Sequence, residues 1–145
     1  MKIFDNLHAF MWLSQTANNC NAFLIDADKK ILVDPGHYHL FDHVRDGLSE
    51  LSLSPQDIDI VIITHGHPDH MESVKIFENT STLIAVSSVE MDFIRKVAPH
   101  YGEALGISDF EPDILLQEGE LKIGNLNLGH PNARPFTRLC LYLLA

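Results

Sequence analysis

One apolar run constrains the fold of this chain more than any other segment. Residues Ile58 to Ile63 are nearly all β-branched, with Asp59 the exception, and Thr64-His-Gly-His-Pro-Asp-His70 follows at once. A continuous β-branched run is typical of a strand buried on both faces, and such strands lie centrally in sheets that helices cover. The segment therefore predicts a central strand whose carboxyl end carries a polar, histidine-rich loop.

The segments around this run alternate between strand and helix patterns. Asn21 to Ile25 and Ile31 to Val33 are apolar runs joined by a polar turn, which predicts a hairpin. The apolar spacing in His39 to Leu51 and in Ser88 to Val97 predicts two amphipathic helices. Shorter apolar runs predict further strands at residues 82–86, 114–117, 121–123 and 126–128. The order predicts an α/β fold, layered in the α+β manner, as a single domain over residues 1–145.

Charge and composition exclude several classes of partner. The chain has 10 Lys+Arg against 20 Asp+Glu and a formal net charge of −10, which disfavours binding to nucleic acid and to anionic membranes. No apolar stretch reaches transmembrane length, and the first residues do not have a signal-peptide pattern. We therefore expect a cytoplasmic protein that acts on a small-molecule substrate, without nucleic-acid or membrane partners.

The histidine-rich loop is the strongest chemical signal in the sequence. Of nine histidines, three fall within the six residues from His65 to His70, together with Asp69. Imidazole and carboxylate suit zinc and other borderline divalent ions. His65 and His67 can point the same way in an extended segment, whereas Asp69 and His70 follow a turn at Pro68. Two ligands can thus serve one ion and two a neighbouring ion.

This loop resembles the His-x-His-x-Asp-His motif of the metallo-β-lactamase fold superfamily. The hairpin ending in Ile-Leu-Val-Asp34-Pro-Gly resembles the opening of that family's fold, and the likeness continues through residues 113–128. The resemblance implies an αβ/βα sandwich with one or two metal ions at the sheet edge. Zinc is the expected metal, and iron or manganese suits the same ligands.

The resemblance also implies roles for individual residues. His65 and His67 would bind the first ion, and Asp69 and His70 the second. The ions would lower the pKa of a bound water and present hydroxide to a carbonyl, with Asp69 the catalytic residue that orients it. Asp34 would support the ligand loop from behind.

The third histidine of the family is the first departure. That histidine stands about six residues before a Cys-Leu-Tyr-like strand, which Leu139 to Tyr142 resembles, but Arg134 occupies the corresponding position. Arginine cannot ligate a metal. His130, in a Gly-His pair, is the alternative ligand, and its spacing of ten residues from Cys140 does not match.

A frameshift hypothesis accounts for this departure. Residues 129–138 can be encoded so that reading one nucleotide later gives Val-Ile-Gln-Thr-Pro-Gly-His-Ser-Pro-Gly, the family's third histidine motif. Residues 121–145 also contain no Asp or Glu, unlike the rest of the chain. A nucleotide sequence with incompatible codons would exclude the hypothesis.

The second departure is the absence of the family's second half, with its bridging aspartate and final histidine. The resemblance therefore predicts a domain truncated to about its first half, with one sheet face left apolar and exposed. A homodimer that covers this face is the expected assembly.

Three functions remain open from the sequence. The first is a metal-dependent hydrolase, similar to glyoxalase II, acting on a thioester, ester or amide. The second is an iron-dependent redox relative acting on oxygen or sulfur species. The third is an inactive remnant that binds metal weakly or not at all.

A second group of histidines lies near the start of the first predicted helix. His39 and His43 are four residues apart and can pair on one helix face, and His37 lies just before them. We expect this group to be a solvated helix start instead of a metal site.

Overall fold

The computed structural model of the protein describes residues 1–97, 100, 111–130 and 142–144. Its elements, in chain order, are β1 (Lys2–Phe4), β2 (Leu7–Phe10), β3 (Ala22–Asp26), β4 (Lys30–Val33), α1 (Asp42–Glu50), β5 (Ile60–Ile63), α2 (Pro68–Met71), β6 (Leu83–Ser87), α3 (Ser88–Val97), β7 (Ile114–Leu116), β8 (Gly119–Ile123), β9 (Leu126–His130) and β10 (Tyr142–Leu144). Short 3-10 helices cover Tyr38–Leu40, Pro55–Asp57 and Glu72–Ile76.

The strands form two sheets. The large sheet has seven strands in sequence order, antiparallel from β1 to β4 and parallel from β4 to β7. The small sheet has three antiparallel strands in the order β10-β9-β8. The α/β class and the hairpin are therefore confirmed, since β3 and β4 pair antiparallel across a turn from Asp26 to Lys30.

The central strand β5 is buried on both faces, as its sequence predicts. Val61 and Ile63 contribute to one core, shared with residues of α1 and α3 such as Leu48 and Ile94. Ile60 and Ile62 contribute to a second core on the opposite face. One face of the large sheet thus packs on helices, and the other packs on β8 and β9.

The small sheet corrects one expectation. Ile123, Leu126 and Leu128 are buried and belong to the second core, so the face predicted to be exposed is covered over these strands. Lys122 and Asn127, which flank buried residues of β8 and β9, are exposed and polar. The apolar face on which the expected homodimer was based is therefore covered within the chain, and the homodimer stays a prediction.

The helical segments follow the sequence patterns with one difference. Residues 88–97 form α3 as predicted. The apolar spacing of Met71 to Phe77 also predicts a helix, and residues 72–76 form one of the 3-10 type. In α1, His43 is partly buried and contacts the Trp12 ring and the carbonyl of Phe10, so it is not part of the solvated helix start that the sequence predicts. Within the described ranges, no helix has the length and apolar character needed to cross a bilayer.

Candidate metal centre

A cavity of about 590 Å³ lies at the carboxyl ends of the parallel strands β4, β5 and β6. This edge of a parallel sheet is where ligands usually bind, because loops from neighbouring strands meet there. The histidine-rich loop follows β5, Asp34 follows β4, and α3 follows β6. The cavity is lined by Asn19, Cys20, Asn21, Phe23, Asp34, Thr64, His65, His67, Asp69, His70, Glu90 and Phe93.

The four predicted ligands of the loop lie together in this cavity. The rings of His65 and His67 have centroids 4.6 Å apart, and those of His65 and His70 lie 3.9 Å apart. Asp69 Oδ2 is 3.8 Å from His70 Nε2. His67 has an extended backbone, and Pro68 then starts α2, so the turn predicted at Pro68 brings the second pair of ligands back toward the first. His67 is exposed and the others are partly buried.

Asp34 organises the site from behind. Its carboxylate is buried and accepts three hydrogen bonds: from the Thr64 N–H at 2.8 Å, the Thr64 hydroxyl at 2.6 Å and His70 Nδ1 at 2.8 Å. The first ends on Oδ1 and the other two on Oδ2. These hydrogen bonds tie Asp34 to the histidine-rich loop, and its support of metal ligands stays a prediction.

These hydrogen bonds determine which ring nitrogens carry protons. A carboxylate only accepts, so the single Thr64 hydroxyl proton goes to Asp34, and the hydroxyl must accept from His65 Nδ1, 3.0 Å away. His70 Nδ1 likewise donates to Asp34. In the neutral rings, the lone pairs of His65 and His70 are thus both on Nε2, the nitrogen that a metal can take.

Electrostatics favour the neutral form of His65. Burial lowers the pKa of this imidazole, and the neighbouring His70 lowers it further, against weaker opposition from Asp34. Protons therefore compete less well for the ring nitrogen that carries the lone pair.

The segment before β3 supports Asp69, which the sequence pattern did not indicate. Asn18 Nδ2 donates to Asp69 Oδ2 at 3.1 Å, and the Cys20 N–H donates to the Asp69 carbonyl at 3.3 Å. The Cys20 thiol donates to the Asp34 carbonyl, and burial raises the pKa of that thiol well above its usual range. No spacing rule links residue 18 to residue 69, so only the fold reveals this contact.

Glu90 is a second residue that sequence reasoning missed. It is 3 % exposed, its Oε2 accepts a 3.2 Å hydrogen bond from the Gly66 N–H, and its Oε1 is buried without a hydrogen-bond partner among the described residues. A Cβ at Gly66 would lie 2.5 Å from Ile94 Cγ1, so α3 packs directly on the loop. The available signal was the position of Glu90, one helical turn before Ile94 on an apolar helix face.

The remaining predicted site residues lie beyond these contacts. His130 ends β9, and its side chain is outside the described part of the structure. Residues 131–141, with Arg134 and Cys140, also lie outside it. Neither the third histidine nor the frameshift hypothesis is therefore tested.

Comparison with known proteins relates this fold and site to a family. A family model described as the metallo-beta-lactamase superfamily matches residues 16–133. A protein of Methanocaldococcus jannaschii named as a probable metallo-hydrolase is 49% identical over 51 residues, which are 35% of this chain and 25% of that protein. The flavo-diiron protein FprA2 of Clostridium acetobutylicum is 28% identical over 89 residues, 61% of this chain and 21% of that protein.

Solved structures give the same architecture. The metallo-beta-lactamase FEZ-1 from Legionella gormanii superposes with a TM-score of 0.73 at 19% identity, covering 95% of this chain and 54% of that one. The chain thus spans about half of that structure and a quarter or less of the two sequence relatives. Because the family model matches most of the chain, the protein belongs to the metallo-beta-lactamase superfamily.

Proposed function

We propose that this chain carries a metal-dependent hydrolase centre that acts on a thioester, ester or amide carbonyl. The observation that carries the proposal is the hydrogen-bond chain from Asp34 to His65 and His70. This chain places the lone pairs of both rings, which line the cavity, on Nε2 before any ion binds. Membership of the superfamily implies divalent-metal binding, and zinc is the metal we propose.

The donor set fits such an ion. Three imidazoles and one carboxylate, from His65, His67, His70 and Asp69, are nitrogen and oxygen donors of the type that zinc accepts. A metal-bound histidine usually donates its other N–H to a carboxylate, as His70 does to Asp34. These four residues would hold the metal, which when bound would acidify a water and polarise a carbonyl.

The other residues of the cavity would position the substrate and keep the ligands in place. Asn18, beside the cavity, donates a 3.1 Å hydrogen bond to the Asp69 carboxylate and would help to orient it. Phe23 and Phe93 supply apolar wall, and the volume of about 590 Å³ suits a small molecule. Glu90 Oε1, buried without a partner among the described atoms, is an acceptor that a bound water or substrate would satisfy.

A redox function is the second candidate, and the relatives favour it specifically. Besides FprA2, a diflavin flavoprotein of Synechocystis is 34% identical over 82 residues, which are 55% of this chain and 14% of that protein. The name of FprA2 indicates a protein with two irons. The same histidine and carboxylate donors accept iron. Metal identity therefore separates the two candidates.

The test combines metal content with two assays. Elemental analysis of the purified protein and of His67→Ala measures which metal is bound, with His100→Ala, an exposed histidine, as the control. We expect zinc that is lost only in His67→Ala, together with thioester hydrolysis lost in the same variant. Iron with oxygen reduction would replace the hydrolase proposal by the redox one. Absence of metal from all three proteins would indicate an inactive remnant.

A further inference from the structure

A second cluster of metal-ligating side chains lies outside the histidine-rich loop. His37, His39 and Glu72 each bring one ligand atom within 4.8 Å of the others. His37 Nδ1 is 2.8 Å from Glu72 Oε2, and the His37 and His39 rings have centroids 5.2 Å apart. The histidines and the glutamate are far apart in sequence, so the fold alone assembles the cluster.

The backbone around the cluster is fixed by hydrogen bonds. The His37 N–H donates to Asn19 Oδ1 at 2.9 Å, and the Tyr38 N–H donates to Glu72 Oε2 at 3.4 Å. His37 has an extended backbone before the 3-10 helix, which lets its ring lie beside that of His39 despite their spacing of two. Side chains on a fixed backbone need less ordering to bind an ion.

The two segments that carry the cluster are also tied to each other. The Gly36 N–H donates to the His70 carbonyl at 3.3 Å, and the Ser73 N–H donates to the Gly36 carbonyl at 2.9 Å. The turn after β4 and the 3-10 helix at residues 72–76 therefore form one unit. An ion held between them would not have to bring distant segments together.

We propose that His37, His39 and Glu72 form a second divalent-cation site, of the zinc class, separate from the proposed hydrolase centre. Two imidazoles and one carboxylate with an open fourth position are an established zinc donor set. Bond lengths of about 2.0–2.1 Å place tetrahedral ligand atoms about 3.3 Å apart. The 2.8 Å contact between His37 and Glu72 must therefore widen by about half an ångström, and the His39 nitrogen, within 4.8 Å of both, must come to a similar distance.

The burial of two of the three side chains favours this site. The side chains of His37 and Glu72 are 19% and 18% exposed, so their attraction for a cation is screened less than at an open surface. His39 is exposed, and its ring can rotate to complete the site. An ion bound through His37 Nδ1 would displace the N–H that faces Glu72, and the neutral ring would then carry its proton on Nε2.

The proposal goes beyond the hydrolase function and does not depend on it. Glu72 follows His70 by two residues, and His37 follows Asp34 by three. An ion at the second site would brace the segments that hold Asp34 and His70, without touching the substrate cavity. Its expected effect is on the number of ions bound and on stability.

The test counts bound ions in matched variants. Equilibrium dialysis against Co²⁺ with elemental analysis is applied to the wild type, His39→Gln, His67→Ala and the double variant. We expect His39→Gln to remove about one equivalent both in the wild type and in the His67→Ala background. His100→Gln, which removes an exposed histidine elsewhere, should leave the count unchanged.

Glu72→Gln provides an independent variant, since it keeps the side-chain shape but removes the charge. It should bind one equivalent fewer, as His39→Gln does. Co²⁺ should raise the melting temperature of His67→Ala, and this rise should disappear when either substitution is added to His67→Ala. An unchanged ion count in the folded His39→Gln and Glu72→Gln proteins would overturn the proposal. Failure of the hydrolase centre would be evident separately, as an unchanged count between wild type and His67→Ala.

Discussion

The substitution Asp34→Asn tests whether one carboxylate sets the tautomers of the proposed metal ligands His65 and His70. Asp34 has a positive φ of 52°, a conformation that asparagine tolerates better than most residues. The substitution therefore leaves the backbone conformation accessible and isolates the loss of charge. An alanine at this position would add the strain of a left-handed backbone, about 1–2 kcal/mol, and confuse the result.

The expected loss of metal affinity follows from the three hydrogen bonds that the Asp34 carboxylate accepts. In the variant, the amide oxygen can still accept from the Thr64 N–H, but the NH₂ group then faces the Thr64 hydroxyl and His70 Nδ1. His70 must accept at Nδ1 and carry its proton on Nε2, the nitrogen that the metal needs. Loss of such a supporting carboxylate lowers metal affinity about 10–100-fold, or about 1.4–2.7 kcal/mol.

The assay is a zinc competition titration against a chelator, with urea unfolding of the metal-free protein in parallel. Asp46→Asn, at an exposed aspartate of α1, is the matched control and should bind zinc like the wild type. We expect Asp34→Asn also to lose about 1–3 kcal/mol of unfolding free energy, because partly buried donors on Thr64 and His70 lose their acceptor. Wild-type zinc affinity in a folded Asp34→Asn protein would refute the reasoning.

Three further predictions concern packing, reactivity and pH. Gly66→Ala should lower the unfolding free energy by about 1–3 kcal/mol in urea titrations, because the added Cβ meets Ile94 at 2.5 Å; wild-type stability would contradict this. In a Cys140→Ser background, Cys20 should react with iodoacetamide far more slowly in the folded than in the unfolded protein, because burial raises the pKa of its thiol; equal rates would contradict it. The hydrogen bond from Lys29 lowers the pKa of Asp59 below its ordinary 3.8. Ionised Asp59 therefore stabilises the folded protein above pH 3.8, and this contribution is lost as the pH falls through the lowered pKa. Lys29→Met should raise the Asp59 pKa in an NMR titration, and an unchanged value would rule out Lys29 as the cause.

Much of the fold was predictable because its signals are local. The β-branched run of β5 fixes a strand buried on two faces, and the turn after Asp26 fixes a hairpin, both from contiguous residues. The loop from His65 to His70 was predictable for the same reason, since its ligand types stand within one short segment. The covering of the second face by β8 and β9 was not, because it depends on two sheets meeting.

The parts of the site that could not be predicted are contacts between distant segments. Asn18 reaches Asp69 across 51 positions, and His37 reaches Glu72 across 35. Glu90 has the sequence position of an ordinary helix residue, and only the packing of α3 on the loop brings its carboxylate to the Gly66 N–H. In each case the residue type was visible in the sequence, but its partner is set by the topology that brings strand ends to one edge.

The turn that follows β4 links the two proposed sites through a strained residue. Asp34 holds a positive φ just before Pro35, and conformations of this kind, costing about 1–3 kcal/mol, persist where the surroundings over-determine them. Here the carboxylate accepts from Thr64 and His70, while the Gly36 N–H donates to the carbonyl of the same His70. His70 is therefore held at its ring and at its backbone by one turn. Since that turn continues into His37, an ion bound to His37 and Glu72 would restrain the position of His70 from outside the cavity.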